Sequence, residues 1–333
     1  MKCIYKIMYK KKVGIIGLGS WGKNIYRNLD YFHVVELVYD NDFKNLNFNL
    51  IKENKITRNI DDIFLSKTID SVIIASPAIT HKDYIIKSLK NNKNVFVEKP
   101  LCLSLRDSRE IEKVANEVNK NVFIGHLLQY HNAFKKLKHN IKLGKIGNLN
   151  IIKANRLNFG AVRKIESVLY DLASHDLSMI LSITEDFPVK VEVNAVFKNS
   201  KTIADYINVI LYFKKDIIAI LNMDWISPYK EHRFSVFGTK GSLIFDDTRE
   251  WKTKLIFNPS YLNKKKEVVY KPNVSIAVQE EEPLKNEIES FLKCIEYNDM
   301  PITNIKEAIN VQIVLDMIEN KLINKYGLNN GFY

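Results

Sequence analysis

The chain has 333 residues, of which 46% are hydrophobic and 26% charged, and its formal net charge is +12. This length predicts about two domains, and the composition is that of a globular rather than a disordered chain. No apolar run is long enough to span a bilayer. Lysines interrupt the first ten residues, which excludes a signal peptide there and leaves Met1 or Met8 as the start.

Charge and cysteine usage exclude further classes of protein. The lysines are scattered along the chain, which argues against a nucleic-acid interface. Cys3, Cys102 and Cys294 are far apart, with no C-x-x-C or Cys/His cluster to hold zinc. We therefore expect a reduced, cytoplasmic protein with no metal, nucleic-acid or membrane partner. Its positive field would still attract an anionic substrate such as a nucleotide sugar.

A glycine-rich turn near the start predicts a dinucleotide site. Residues 13–16 are apolar and predict a strand, and Gly17, Gly19 and Gly22 then match G-x-G-x-x-G. That motif combines a tight turn, a close backbone approach to a pyrophosphate and close helix packing. The following helix, predicted at residues 24–29, would direct its N-terminus at the phosphates, and Ser20 and Trp21 are also expected to contact the cofactor.

An acidic residue after the second predicted strand strengthens this prediction. Residues 34–39 predict a strand that stops at Asp40, about 20 residues beyond the glycines, where a carboxylate accepts hydrogen bonds from the ribose diol. Asp40 would repel a 2′-phosphate, and no arginine follows it directly, so NAD is favoured over NADP. The alternative is an aspartate that merely opens a turn.

The next segments alternate strand and helix, which predicts a doubly wound parallel sheet. Strands are expected at 71–75, 94–97 and 121–125, with helices at 81–90 and 105–118. Ligands bind at the carboxyl ends of such strands. The further cofactor-binding residues expected at this edge are Ser76, Pro77, Thr80, His81 and Glu98.

Lys99 follows Glu98 at the end of the fourth predicted strand. The residue before a proline is restricted to extended geometry, and Pro100 comes next. Its ammonium group would therefore be held in place. The alternative is an ordinary solvated lysine.

The second half changes to long segments of alternating polarity, which predict a mostly antiparallel sheet with one wet face. We expect an α/β Rossmann domain over residues 1–125 and an α+β domain with a large open sheet over residues 126–333. In an alternative division, the last helix, at 305–325, packs back on the first domain. Strands are predicted at 151–157, 189–198, 206–213, 217–225, 231–238, 242–246 and 255–258, and the other helices at 133–143, 168–183 and 283–297.

Asp171 and His175 lie four residues apart in the predicted helix at 168–183 and so share one face. A carboxylate beside a histidine supports the imidazolium, which makes His175 a suitable general base. The alternative is a surface ion pair, which the neighbouring Asp176 also favours because it is a second carboxylate beside His175.

Taken together, these motifs resemble the Gfo/Idh/MocA oxidoreductase family. The glycine turn, the strand-terminal Asp40, the Glu98-Lys99-Pro100 sequence and the later Asp-x-x-x-His occur in that family's order, and residues 237–242 are similar to a turn in its second domain. The resemblance implies that Lys99 is the catalytic lysine, that His175 accepts the proton and that Asp171 is its neighbour. This chain departs from many members in having Ser178 where they have an aspartate, and in lacking a glycine near Ala173.

Within the family, the chain most resembles bacterial UDP-N-acetylglucosamine 3-dehydrogenases at residues 17–23, 125–126, 130–131, 157–160 with Arg163, and 169–176. These enzymes oxidise the sugar C3 hydroxyl before a pyridoxal-phosphate aminotransferase installs an amine. The resemblance implies a nucleotide-sugar substrate, a homodimer or homotetramer and a pathway aminotransferase as partner. Beside Lys99, Asp171 and His175, it implies as substrate-binding residues Tyr130, Arg156, Asn158 and Arg163.

Two alternative functions remain open on the sequence. A substrate such as UDP-N-acetylglucosaminuronic acid would need a cation for its carboxylate, and Arg156 and Arg163 are both candidates. A catalytically silent NAD-binding regulator would bind NAD and oxidise no sugar. The joint presence of Lys99, Asp171 and His175 argues against the second alternative.

Overall fold

A computed structural model of the chain describes residues 9–46, 50–160, 167–263 and 265–328. Within these ranges the helices are α1 Ser20–Tyr31, α2 Asp61–Leu65, α3 His81–Lys90, α4 Leu105–Glu117, α5 Asn132–Lys142, α6 Val168–Thr184, α7 Pro283–Tyr297 and α8 Ile305–Tyr326. The strands are β1 Val13–Ile16, β2 Val35–Tyr39, β3 Ser71–Ile74, β4 Asn94–Val97, β5 Val122–Ile124, β6 Leu149–Phe159, β7 Lys190–Val196, β8 Tyr206–Tyr212, β9 Ile218–Asp224, β10 Ile226–Gly238, β11 Gly241–Asp246, β12 Leu255–Asn258, β13 Tyr261–Leu262, β14 Val268–Val269 and β15 Val274–Ser275.

The chain forms two compact units. The first runs to Leu127 and also takes Glu282–Ile309, and the second takes Leu128–Glu281 and the chain from Asn310 onward. The sequence predicted a division at residue 125, with all later residues in the second domain or with only the last helix packing back on the first. In the structure α7 belongs to the first unit, because its Phe291 ring packs on Phe96 and Phe123 of that unit's sheet, and the first turn of α8, up to Ile309, belongs to that unit as well.

The first unit is built on a five-stranded parallel sheet of order β2-β1-β3-β4-β5. Strands β1 and β3 are buried at every residue, as expected for a sheet covered on both faces. This confirms the predicted doubly wound Rossmann fold. The ladder continues just past the strand ends, where Gly17 N–H donates to the Tyr39 carbonyl and Glu98 N–H to the Ile74 carbonyl, both at 2.9 Å.

The second unit is built on an eight-stranded sheet of order β15-β12-β11-β10-β6-β9-β8-β7. Its pairs are antiparallel except β6 with β9, so the expected open sheet is confirmed as a mostly antiparallel, mixed one. Buried and partly exposed side chains alternate along β8, and its Ile207, Val209 and Leu211 are fully buried. These side chains pack in one apolar cluster with Leu177 and Ile180 of α6.

Two predicted boundaries differ from the structure for local reasons. Helix α1 begins at Ser20, directly after the glycine turn, rather than at the expected residue 24. Strand β10 begins at Ile226 rather than 231, because its pairing with β6 shifts register between Ile226 and Glu231. The pairing is irregular there, so the alternation of polarity that predicts a strand is lost.

Candidate functional site

Two glycines of the turn after β1 are required by close backbone packing. Gly17 has a φ of +95°, and a Cβ placed on it would lie 2.6 Å from the Ala75 carbonyl carbon. A Cβ on Gly22 would lie 2.1 Å from the Gly17 carbonyl oxygen. The turn is therefore pressed against both the end of β3 and the first turn of α1, as the motif predicts.

The middle glycine has a different reason to be there. A Cβ on Gly19 would have no heavy atom within 4 Å, so open space faces the backbone at this point. Gly19 is the N-cap of α1, makes no side-chain cap hydrogen bond, and no acidic residue lies in the helix's first turn. An exposed, uncapped helix N-terminus with room for close approach fits the pyrophosphate of a dinucleotide.

Asp40 follows β2 at the same sheet edge and is buried. One carboxylate oxygen accepts from the Leu18 N–H at 2.6 Å, and the other accepts from the Asp42 N–H at 2.8 Å and the Asn45 amide at 3.2 Å. Asp40 thus opens a turn, which was the simpler of the two sequence interpretations, and it also ties that turn to the glycine turn. Oδ2, the oxygen that accepts from the Leu18 N–H, has a further lone pair with which to accept from a ribose hydroxyl.

The loop after β3 is held by its own side chains. The Ser76 and Thr80 hydroxyls lie 2.7 Å apart, and Thr80 Oγ1 donates to the Pro77 carbonyl at 2.8 Å. His81 is 1% exposed, with Nδ1 2.8 Å from the Pro100 carbonyl oxygen and Nε2 2.9 Å from that of Ser76. Burial lowers its pKa. His81 is one of the predicted cofactor-binding residues, and its side chain is enclosed where it joins two loops.

Glu98 links the glycine turn to the end of β4. Its Oε1 accepts from the Trp21 indole N–H at 2.6 Å, and its carboxylate also accepts from the Lys99 backbone N–H. A Cβ on Gly125 would lie 3.0 Å from both carboxylate oxygens, so Gly125 leaves the space they occupy. Burial raises the pKa of Glu98 to about 7, while Trp21 and the Lys99 charge act in the opposite direction.

Lys99 lies at the carboxyl edge of the sheet, as predicted, directly after Glu98. Its peptide bond to Pro100 is cis. The side chain is partly buried, which is consistent with a restrained ammonium group rather than a fully solvated one.

In the second unit, α6 carries Asp171 and His175 one turn apart on one helical face. Both side chains are partly exposed, whereas the neighbouring Asp176 is buried. Asp176 is directed away from that face, because it pairs with Arg156 of β6. It therefore does not compete for His175, which leaves Asp171 as the carboxylate that shares its face.

Arg156 makes a two-pronged contact with Asp176, with Nε 2.9 Å from Oδ2 and Nη2 2.7 Å from Oδ1. The two side chains are 12% and 4% exposed. Arg156 was expected to bind substrate, but its charge is already neutralised inside the unit. Asn158 lies two residues further along β6, on the same face of the sheet and partly exposed. The fourth predicted residue of this group, Arg163, lies outside the described residues.

Tyr130 is 1% exposed, with the Lys135 ammonium 5.7 Å from its ring centre. The structure therefore places this predicted substrate-binding side chain in the interior. Its neighbour Gln129 donates to the Ser178 hydroxyl and carbonyl oxygens, both at 2.9 Å. Ser178 stands where the resembling family often has an aspartate, and in this chain its hydroxyl and carbonyl oxygens accept from the Gln129 amide.

The sequence did not reveal an ionic cluster around Asp247. This carboxylate lies 3.3 Å from Nε2 of His131 and 2.9 Å from the Lys254 ammonium, and His131 stacks on Trp251 with ring centres 5.2 Å apart. His232 is paired with Arg156 in the register of β10 with β6. Burial and then the Arg156 charge lower its pKa to about 4.

Within the described ranges, no three His, Cys, Asp or Glu side chains are grouped so that they could hold a metal ion. No helix in the described part of the chain combines the length and apolar character needed to cross a bilayer.

Comparison with known proteins agrees with these two units. Residues 11–126 match the model of the oxidoreductase family GFO_IDH_MocA with its NAD-binding Rossmann fold, and residues 134–244 match the GFO/IDH/MocA C-terminal domain.

Individual relatives are more distant. The chain is 25% identical over 259 residues to a Myo-inositol 2-dehydrogenase of Thermotoga maritima, covering 72% of this chain and 76% of that one. It is 26% identical to the scyllo-inositol 2-dehydrogenase (NAD(+)) of Bacillus subtilis, covering 74% and 73%. Its fold is similar to that of the UDP-N-acetylglucosamine 3-dehydrogenase GnnA from Acidithiobacillus ferrooxidans, with a TM-score of 0.81 at 19% identity over 93% and 96% of the chains. Because the matched family models cover both units, the chain belongs to the Gfo/Idh/MocA family of oxidoreductases, and its first unit is that family's NAD-binding Rossmann domain.

Proposed function

We propose that this enzyme oxidises a secondary hydroxyl of a sugar with NAD, and that the sugar is UDP-N-acetylglucosamine oxidised at C3. The observation that carries the reaction class is the separation of roles along α6. Asp176 is turned towards Arg156 and neutralised by it, while His175 and Asp171, four residues apart, share another, partly exposed face of the helix. A partly exposed histidine with a carboxylate one helical turn away is suited to accept a hydroxyl proton.

Three side chains have roles in this proposal. NAD supplies the hydride acceptor when it is bound. His175 removes the proton from the substrate hydroxyl, and Asp171 supports the imidazolium that forms. Lys99 places a positive charge at the oxygen, where it stabilises the developing alkoxide and then the ketone.

Support for the nucleotide sugar comes from the sequence resemblance to UDP-N-acetylglucosamine 3-dehydrogenases. The uronic-acid alternative loses one of its two candidate cations, because Arg156 is paired with Asp176, and Arg163 is then the residue that would bind the second carboxylate. A cyclitol is the second candidate, because curated relatives at 25% and 26% identity are inositol dehydrogenases.

The direct test is to incubate the purified chain with NAD and one substrate at a time, following NADH absorbance. The substrates are UDP-N-acetylglucosamine, UDP-N-acetylglucosaminuronic acid and myo-inositol. We expect NADH only, or fastest, with the first, together with a product that has lost two hydrogens by mass spectrometry. Rapid NADH formation with myo-inositol and none with either nucleotide sugar would establish the cyclitol reaction instead.

The product would be a 3-keto sugar nucleotide, the substrate type that a pyridoxal-phosphate aminotransferase converts to an amine, for example for lipopolysaccharide. We propose such a partner in the pathway and a cytoplasmic location, which fits the free, buried Cys102 and Cys294.

We also propose a homodimer or homotetramer formed through the outer face of the eight-stranded sheet. That face carries a ladder of amide hydrogen bonds across four strands, in which Asn222 bonds to Asn155 and Asn208 bonds to Asn222, both at 2.9 Å. Partly buried Ile210 and Ile220 are opposite each other on the same face. Light scattering of the purified chain measures the number of copies, and a monomer at micromolar concentration would contradict this proposal.

A further inference from the structure

A buried acid on α7 is not used by the proposed reaction. Glu287 is 0% exposed, and neither of its carboxyl oxygens has a hydrogen-bond partner among the described residues. It lies among the apolar side chains of α7 that face the sheet, between Leu284 and Ile288. A charged carboxylate enclosed without a partner would be very costly, so such a group keeps its proton. An unpaired buried acid requires an explanation.

The packing of α7 shows what Glu287 faces. One turn further along this helix, Phe291 packs edge-on against Phe96 of β4 and Phe123 of β5, with ring centres 5.5 and 5.6 Å apart. Two residues beyond those rings, on the same face of each strand, come Glu98 and Gly125. A step of four along the helix and a step of two along a strand cover similar distances. Glu287 is therefore carried to the point where the Glu98 carboxylate occupies the space left by Gly125.

Glu98 in turn joins the two functional parts of the first unit. It accepts from Trp21, in the first turn of the helix that follows the glycine turn, and from the backbone N–H of Lys99. We propose that Glu287 is a positioning residue that carries a proton, presents its neutral O–H dipole to the Glu98 carboxylate, and so stabilises the arrangement of the glycine turn and Lys99.

The charges around this pair are consistent with one ionised carboxylate. Lys99 beside Glu98 and His126 after β5 both favour the charged form of Glu98, and His126 is itself paired with Glu307 of α8 at 2.7 Å. Burial raises the pKa of Glu287 well above its usual range, and the negative charge of Glu98 raises it further. The charge therefore lies on Glu98 above about pH 7 and the proton on Glu287.

Trp21 reports on this pair directly, because its indole N–H donates to Glu98. The test is a titration of the tryptophan fluorescence of the free protein between pH 5 and 9. The pH-dependent change in fluorescence that is absent from the Trp21→Phe variant is assigned to Trp21. A transition with its midpoint near pH 7 is expected, and Glu98→Gln should abolish it. The fluorescence titration uses the free protein, and the binding measurement below uses NAD alone. Neither requires the sugar, so both are independent of the proposed substrate.

Variants of Glu287 decide between the possibilities. Glu287→Gln keeps an uncharged donor, so its midpoint should stay within about 0.5 pH unit of the wild type. Glu287→Met removes the dipole and increases desolvation of Glu98, so the midpoint should rise by about one unit. If NAD binds the form with charged Glu98, its apparent Kd at pH 7.5 should then rise about threefold. Glu289→Gln, the same change on a partly exposed position of α7, should alter neither value.

Other outcomes would overturn the proposal. A midpoint that falls by a unit or more in Glu287→Gln or Glu287→Met would show that Glu287 carries a charge. An unchanged midpoint in Glu287→Met would show that it does not act on Glu98. Circular dichroism checks that Glu287→Met is folded, and if it is not, the Gln variant alone decides whether Glu287 is neutral.

Discussion

Arg156 and Asp176 form a buried, two-pronged ion pair between the sheet and the helix α6 of the second unit. Their contacts measure 2.9 and 2.7 Å, and the Asp176 side chain is 4% exposed. The pair fixes how α6 is rotated relative to β6. Because Asp176 faces the sheet, the residues one position earlier and five positions earlier, His175 and Asp171, face elsewhere.

Breaking this pair should be far more damaging than removing it. Asp176→Ala leaves a buried guanidinium without a partner, and we expect a loss of about 3–5 kcal/mol in the free energy of unfolding. The double variant Arg156→Met with Asp176→Leu replaces both charges by apolar groups and should lose less. Urea denaturation of the single and double variants measures this. A double variant less stable than Asp176→Ala would contradict the interpretation.

The glycines of the turn after β1 should separate folding from cofactor binding. Gly22→Ala places a Cβ 2.1 Å from a backbone oxygen, so overpacking should cost about 1–3 kcal/mol of stability. Gly19→Ala meets open space and should change stability by less than about 1 kcal/mol, yet the added methyl lies where the pyrophosphate approaches. Its Kd for NAD should rise about tenfold, a binding loss of about 1.4 kcal/mol.

Thermal unfolding and calorimetric titration with NAD measure the two effects separately. The contrasting result would be a Gly19→Ala variant that binds NAD as well as the wild type, because the space beside Gly19 would then have another purpose.

The sequence predicted the features that depend on neighbouring residues. Gly17 and Gly22 could be assigned because a turn joining a strand to a helix has a local pattern, and Asp171 with His175 because helical spacing is regular. The cofactor edge followed from the rule that ligands bind at the carboxyl ends of parallel strands.

What the sequence did not show depends on contacts between distant segments. Glu98 accepts a hydrogen bond from Trp21, which is 77 positions away in the sequence. Arg156 of the sheet pairs with Asp176 of α6, which is 20 positions away. Local patterns contain no record of such pairs. The pairing of Arg156 with Asp176 was therefore not predicted. An acid on the apolar face of α7, Glu287, was the one visible sign of the buried carboxyl pair.

Lys99 and His175 should be needed for turnover but not for binding NAD. Lys99→Ala and His175→Ala each remove a group that acts on the reacting oxygen or its proton, so kcat/KM should fall about 10²–10⁴-fold. At pH 9, where Glu98 is charged, the Kd for NAD should stay within about twofold, because neither side chain belongs to the glycine turn. Steady-state kinetics with the sugar that proves active, and NAD titration, provide the two values.

Matched controls exist on the surface of the chain. Lys90→Ala and His139→Ala remove the same residue types from exposed positions and should leave both values unchanged. Near-normal turnover in both Lys99→Ala and His175→Ala would remove the basis for the catalytic assignment.

His232 should make the protein sensitive to acid. Burial, followed by the charge of Arg156, lowers its pKa in the folded protein from 6.5 to about 4. Between these two values the unfolded chain binds a proton that the folded protein does not, so the free energy of unfolding falls as the pH falls from 6.5 towards 4. Partial exposure of His232 screens the effect, which we place at about 1 kcal/mol. Urea denaturation at several pH values in this window should show a smaller loss for His232→Gln than for the wild type. His139→Gln, a change at an exposed histidine, should follow the wild type, and an equal loss in His232→Gln would show that His232 is not buried as a neutral ring.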